Sequence, residues 1–250
     1  MARLLKSMVL SAALLAPGLA MAQSDMENLS DAERDAFRAE VRAYLLENPE
    51  VIFEAIQILE QRREQESQAA DRELVANNAS ALFDDGFSFV GGNPNGDVTI
   101  VEFLDYRCGY CKRAHPVIEE LLERDPNIKL VVKEFPILGP NSVNAGKMAL
   151  AALDVDRGRY KALNDALMSY QGDLTETVAY RLAGEVGYDI AALRDRAESG
   201  EIDDRLAQNY QLAQALGVQG TPAFVVGQEI IRGFLPIEDM IDVVEAARSE

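Results

Sequence analysis

A chain of 250 residues is long enough for one or two ordinary domains with a sizeable core. Hydrophobic residues make up 48% and charged residues 26%, a balance that excludes a disordered, collagenous or multi-span membrane chain. A formal charge of −18 excludes the clustered basic surface that binds nucleic acid phosphates and reads as a solvated acidic exterior.

Residues 1–22 carry Arg3 and Lys6, an apolar run from Met8 to Leu15, then Pro17-Gly18 and the small-x-small ending Ala20-Met21-Ala22. This is the pattern of a secretory signal peptide, with the mature chain starting at Gln23. The run is shorter than the roughly 20 residues that span a bilayer, and an uncleaved signal anchor is the alternative. Export matters chemically, because disulfides persist outside the cytosol, and a bacterial periplasm is the expected compartment.

Ser30 and Glu33 form a potential capping box. Phe37, Val41, Tyr44 and Leu45 then fall on one helical face. Asn48-Pro49 stops that helix and starts another, with Asn48 as its cap. Ile52, Ile56 and Leu59 continue an apolar stripe, widened by Val51 and Ile58. Residues 60–73 contain nothing apolar larger than alanine and read as a solvent-exposed helical stalk of about 20 Å. Two short amphipathic helices cannot bury their stripes alone, so they fold back on the main domain or pair with copies of themselves. The stalk favours self-association, so residues 23–84 are expected to be an oligomerisation region and stalk, giving a homotrimer or homodimer.

Past Asp84-Asp85-Gly86 the texture changes. Residues 87–90 read as a short strand, 91–96 as a turn cluster, and Val98–Leu104 as a buried strand. A helix follows from the cysteines to about residue 123, then a strand over 128–135. Helical patterns fill about 140–216, punctuated by Gly158, Gly172, Gly187 and Gly200. Strands return at Ala223–Val226 and Glu229–Arg232, and a last amphipathic helix starts near Pro236. This order predicts a mixed α/β domain over residues 85–250.

The two cysteines, Cys108 and Cys111, are too few for a disulfide-stapled scaffold. Cys108-Gly109-Tyr110-Cys111 sits where a buried strand ends and a helix begins. A thiolate there faces unpaired backbone N–H groups and the positive end of the helix dipole. Stabilising the reduced form makes the disulfide a stronger oxidant. Cys108 at the exposed end is the expected nucleophile, and Cys111, one turn in, the resolving thiol. A zinc site needs two further ligands, and His115 is the single histidine. Haem attachment needs histidine where Lys112 stands, and a structural disulfide closing so short a loop adds little stability. Cu(I) binding by the two thiolates stays open as a side activity. Gly139…Gly146-Lys147 is no phosphate loop, since its spacing is too long and Met148 follows. The expected cofactor set is empty apart from the redox-active Cys108–Cys111 disulfide, with no metal.

Cys108-Gly109-x-Cys111-Lys112, followed by Pro116, resembles the active-site helix of thioredoxin-fold proteins. Gly220-Thr221-Pro222-Ala223-Phe224 resembles the cis-proline loop of the same superfamily. The resemblance implies a cis bond before Pro222, with Thr221 facing Cys108 and its backbone pairing with the substrate chain. The helical block before that loop resembles the insertion of DsbA-like proteins. The expected fold is thus α/β, a thioredoxin fold with a DsbA-type insertion, preceded by the N-terminal helical extension.

Glu102, six residues before Cys108, matches the buried acid of DsbA-like proteins, which implies a raised pKa and a relay for the Cys111 proton. The alternative is a glutamate in solvent or paired with Lys133. Tyr110 stands where many DsbA proteins have histidine, so Gly109 and Tyr110 are expected to tune the site towards weaker oxidising power. His115 is expected to pack or face the surface. Cys-Gly-Tyr-Cys, Thr221 before the proline and the helical extension are together similar to the suppressor-of-copper-sensitivity C-type (ScsC) branch. That implies a periplasmic disulfide isomerase acting on unfolded or misoxidised exported proteins, re-reduced by a membrane partner of DsbD type. The rival readings are a monomeric DsbA-like oxidase and a copper-binding protein or chaperone using the same thiols.

Overall fold

Ser30 opens helix α1 (Asp31–Glu47) with the reciprocal capping box that its spacing predicts. Its hydroxyl accepts from the Glu33 N–H, and its own N–H donates to the Glu33 carboxylate at 2.9 Å. Asn48 ends α1 instead of capping the next helix. Its backbone N–H and side-chain amide both donate to the Tyr44 carbonyl, at 2.8 and 2.9 Å, meeting an acceptor that the helix end leaves open. Helix α2 (Glu50–Asn77) follows Pro49. These coordinates are a computed structural model that describes residues 30–249, and the expected signal peptide lies outside the described residues. The described chain divides into two compact units, residues 30–60 and 61–249. In the first, α1 buries no residue, and Phe37, Tyr44, Leu46, Ile52 and Phe53 are exposed.

Residues 61–70 of α2 are exposed, as a stalk should be. The stalk expectation fails at Asp71, which is buried and accepts from both terminal nitrogens of Arg232, at 2.8 and 3.0 Å. A carboxylate leaves no apolar signal in the sequence, yet an arginine brought from 161 residues away lets it be buried. Val75 on α2 and Leu82 on the short helix α3 (Ala79–Phe83) are buried just beyond it, so residues 61–83 cluster with the second unit.

Five strands form one sheet in the order β1-β3-β2-β4-β5. They are β1 (Phe89–Gly92), β2 (Val98–Leu104), β3 (Ile128–Glu134), β4 (Ala223–Val226) and β5 (Glu229–Arg232). The central pair β2/β3 is parallel and the other pairs are antiparallel. Strand β1 begins two residues later than the sequence pattern suggests. The Asp85 carboxylate accepts from the N–H groups of Phe87 and Ser88, at 3.0 and 2.9 Å, and holds them in a turn. Gly91 and Gly92 pair with β3 instead of turning. A Cβ at Gly92 would stand 2.4 Å from the Ile128 carbonyl, so this strand end needs glycine for the close approach.

The pleat separates two cores. Ile100, Leu104, Leu130, Val132, Phe224 and Val226 face the side carrying α4 (Gly109–Arg124) and α10 (Ile237–Arg248). Helices α5 (Pro140–Asp156), α6 (Tyr160–Ser169), α7 (Glu176–Val186) and α8 (Ile190–Ala197) extend that core. Val101, Phe103, Val131 and Val225 face the other side, against Val75, Leu82 and the end of α9 (Gly200–Ala215). Both faces of β2 are covered, which explains why its positions are apolar on both sides of the pleat apart from Thr99 and Glu102.

Leu82 is fully buried in this second core. Leu82→Ala is expected to lower stability by about 2–4 kcal/mol in denaturant titration. A loss below about 0.5 kcal/mol would show that residues 61–83 are not part of the cooperative unit.

Candidate active site

Strand β2 ends at Leu104, and the chain turns through Asp105, Tyr106 and Arg107 into α4. Asp105 is buried and fixes this turn. One of its oxygens accepts from the Ile137 and Leu138 N–H groups at 2.8 and 3.0 Å. The other accepts from the Arg107 N–H and the Ser142 hydroxyl, both at 2.8 Å. The Asp105 carbonyl then accepts from the Cys108 N–H at 3.0 Å, which places Cys108 at the N-cap of α4. Both cysteines are free thiols.

The structure brings Cys108, Cys111 and Thr221 together. The Cys108 thiol donates to the Thr221 carbonyl at 3.1 Å, and the Thr221–Pro222 bond is cis. Donation from the Cys111 thiol, then from the Thr221 side chain and the Cys111 and Tyr110 N–H groups, brings the Cys108 pKa down to about 5 against the opposing effect of burial. The contact to the carbonyl belongs to the neutral thiol, and the N–H groups take over when the proton leaves. Cys111 is fully buried. Burial first, then the neighbouring Cys108 sulfur, holds its thiol protonated far above the ordinary range. Beside Thr221 and Pro222 lies a groove of about 230 Å³, lined by residues 217–223 with Arg232 and Gly233.

Gly109 and Tyr110 occupy the exposed first turn of α4. A Cβ at Gly109 would meet nothing, so the approach to Cys108 is open there. The Tyr110 ring is engaged by Arg113, and what Tyr110 gives Cys108 is its backbone N–H. His115 is half-buried and lies 3.0 Å from Asp165. His115, Glu119 and Asp165 are the metal-ligating side chains that cluster among the described residues, and no cysteine joins them. The Lys161 ammonium already bridges both carboxylates of that group, at 2.8 and 2.6 Å.

Glu102 is buried on the α4 side of the sheet, opposite Val132 and Phe224, and one of its oxygens has no hydrogen-bond partner. Burial first, then the negative charge of Glu119, pushes its pKa up to about 8. Pairing with Lys133 is overturned: Lys133 points to the opposite face and bonds to Asp85 at 2.5 Å and the Ala81 carbonyl at 2.6 Å. The sequence reading missed a second buried acid, Glu134, on the same face as Glu102. The Tyr106 and Tyr160 hydroxyls donate to one Glu134 oxygen at 2.8 and 2.6 Å, and its other oxygen has no partner. Burial pushes this carboxyl up to about 8 against those two donors. At the end of a strand run Glu134 looks like an exposed residue, because its partners come from α6 and from the turn before Cys108.

A thioredoxin-type sheet, a dithiol at a helix N-terminus and a cis-proline loop against the outer sulfur define a class: the thioredoxin-fold dithiol proteins. Residues 99–245 match the family described as DSBA-like thioredoxin domain, and residues 33–66 match the Copper resistance protein ScsC N-terminal domain. The chain belongs to the DSBA-like thioredoxin family. A thioredoxin-like oxidoreductase from Silicibacter pomeroyi DSS-3 is 44% identical, with 68% of this chain and 98% of that one covered and a TM-score of 0.66. Proteus mirabilis ScsC in a transitional conformation is 28% identical over 88% of this chain and 99% of that one, TM-score 0.66. A periplasmic thioredoxin-like protein from Salmonella enterica serovar Typhimurium is 29% identical over 69% of this chain and 96% of that one, TM-score 0.61. The chain spans about a quarter of the length of the curated relatives it matches, such as the Na(+)/H(+) antiporter NhaA 3 of Salinispora tropica, at 29% identity over 63% of this chain and 24% of that relative. Among the described residues no helix is long and apolar enough to cross a membrane.

A carboxyl whose folded pKa lies above its ordinary value costs nothing below about pH 4.5, and its cost grows as pH rises towards 8. Glu102→Gln should therefore stabilise the protein by on the order of 2–4 kcal/mol at pH 8 and leave it within about 0.5 kcal/mol at pH 4. Equal effects at the two pH values, in denaturant titrations, would contradict the buried neutral acid.

Proposed function

We propose that the chain is a thiol–disulfide exchange enzyme of exported proteins that acts mainly as a disulfide isomerase. The observation that carries the exchange chemistry is the asymmetry of the two sulfurs: Cys108 ionises near pH 5, while Cys111 stays buried and protonated beneath it. The exposed apolar N-terminal helices favour an isomerase over an oxidase. At pH 7 a thiol with a pKa of 5 is about 99% thiolate, against about 1% for a pKa of 9.

The Cys108 thiolate attacks one sulfur of a wrong client disulfide. A Cys108–client bond forms, the client bond breaks, and the second client sulfur leaves as a thiolate. The client backbone is held along Thr221 and the neighbouring groove. The freed client thiolate attacks a second client disulfide and expels a different client thiolate. That thiolate attacks the client sulfur of the mixed disulfide and expels Cys108 as the thiolate, so Cys108 returns unchanged with no net transfer of electrons. Alternatively Cys111 loses its proton and displaces the client from Cys108. That closes Cys108–Cys111 and passes two electrons to the client, after which a membrane dithiol partner of DsbD type restores the thiols. We assign Glu102 as the acceptor of the Cys111 proton: its charge already acts on Cys111, and a carboxyl with a pKa of about 8 exchanges protons around neutrality.

The compartment we propose is the periplasm, supported by the periplasmic Salmonella relative and the signal pattern of residues 1–22. The proposed assembly is a homotrimer or homodimer through residues 30–60, supported by their exposed apolar side chains and by the ScsC N-terminal match. A low Cys108 pKa also suits the second reading, a monomeric oxidase, because a stabilised thiolate makes the disulfide oxidising.

Cys108→Ser should abolish repair of a scrambled disulfide substrate, and retained turnover would overturn the assignment. Solution mass separates the two readings. The mature chain should weigh as a dimer or trimer and become a monomer when Phe37 and Ile52 are both changed to Asp. A monomeric parent would transfer the assignment to the oxidase.

A further inference from the structure

Among the described residues, every arginine from residue 85 to 249 donates to an oxygen except one. Arg107 bonds to Asp173 and the Leu138 carbonyl, and Arg157 to the Phe87 and Ser88 carbonyls. Arg196 and Arg205 share Asp154, Arg232 takes Asp71, and Arg248 takes Asp97. Arg124, Arg159, Arg181 and Arg194 each pair with a carboxylate. Arg113 has no such partner and is exposed, in a chain with 42 acidic side chains to draw on. Its guanidinium lies instead between two rings, 5.2 Å from the Tyr110 centroid and 5.0 Å from that of Phe234.

That arrangement has a chemical consequence. A guanidinium held over aromatic rings spends none of its N–H groups on oxygens, and those N–H groups are what reads a carboxylate. The two ring contacts also restrain a side chain that is otherwise costly to order, so less entropy is lost when a ligand binds. The place is equally specific. Tyr110 is two residues beyond Cys108 and 57% exposed. Phe234 follows Gly233, which lines the groove with Thr221 and Pro222. The free cation therefore stands on the rim of the client-facing side, between the helix that carries the nucleophile and the loop after β5. A purely solvated arginine accounts for the exposure but not for the two rings or for their location.

We propose that Arg113, held between Tyr110 and Phe234, binds an acidic side chain of the client polypeptide within two residues of the cysteine that Cys108 attacks. The enzyme thereby prefers disulfides flanked by Asp or Glu. This specificity rests on the thiol–disulfide exchange reading. Arg113 lies five residues past Cys108, about 7.5 Å along the helix, and an extended peptide rises about 3.3 Å per residue. A residue within two of the attacked cysteine is therefore the part of the client that comes near Arg113.

The test uses the reduced mature chain and disulfide-linked peptide dimers whose cysteine is flanked, one position at a time, by Glu, Gln or Lys. The rate of reduction is read as the Glu-to-Gln ratio, which is insensitive to any general change in the Cys108 thiolate. In the parent the ratio should reach about three- to ten-fold for at least one position at low salt and shrink as salt rises. In Arg113→Gln it should fall to near one, in Arg113→Lys it should be partly kept, and in Arg113→Glu the Lys peptide should become the faster one. A ratio near one at every position in the parent, or one that survives in Arg113→Gln, overturns the proposal. The Gln peptide tests the underlying reading separately. Its reduction by the parent but not by Cys108→Ser establishes exchange whatever Arg113 does, and its failure to react overturns both.

Discussion

The site depends on the juxtaposition of Cys108 and Thr221, 113 residues apart in the chain, whose sulfur and carbonyl oxygen stand 3.1 Å apart when the thiol is protonated. Sheet topology enforces it. Strand β4 runs antiparallel to β2, with Phe103 opposite Ala223, so the end of β2 and the start of β4 meet at one edge of the sheet. Whatever leaves β2 and whatever enters β4 must face each other there. The chain leaves β2 into the Asp105 turn and the N-terminus of α4, and it enters β4 through Thr221-Pro222. A one-residue slip of that register would turn Glu102 away from α4 and separate the cysteine from the Thr221-Pro222 loop.

Burial then assigns the two sulfurs different work. Cys108 sits at the helix cap, where N–H groups meet its charge, and Cys111 lies in the core, where burial outweighs the one backbone contact, at Asp105, that favours its thiolate. The same core holds two carboxyls, Glu102 and Glu134, each with an oxygen that no neighbour satisfies. Desolvation drives all three buried groups towards their neutral forms, so the interior beneath the nucleophile stores protons, not charge. On the far side of the sheet burial likewise lowers the pKa of Lys133, opposed by the Asp85 carboxylate that bonds to it together with the Ala81 carbonyl.

Much of this was legible in the sequence, and the reasons are physical. β-branched and apolar runs mark β2, β4 and β5 correctly because both faces of those strands are covered or paired. The dithiol was legible from its place where a strand gives way to a helix, and the Thr221-Pro222 loop from its resemblance to the cis-proline loop of thioredoxin-fold proteins. Less visible were features whose partners lie far along the chain. Asp71 reads as stalk until Arg232 is brought to it, and Glu134 reads as a strand end until Tyr106 and Tyr160 converge on it. The start of β1 was misplaced because an Asp85 turn, not apolarity, decides where pairing begins.

The account stands or falls on the charge state of Cys108, which the thiolate's own ultraviolet absorbance reports as reduced protein is titrated. A single step centred near pH 5, with no second thiolate appearing up to pH 9, is the result expected of an ionised Cys108 above a protonated Cys111. A midpoint in the ordinary thiol range near 8 to 9, or two overlapping steps, would contradict it.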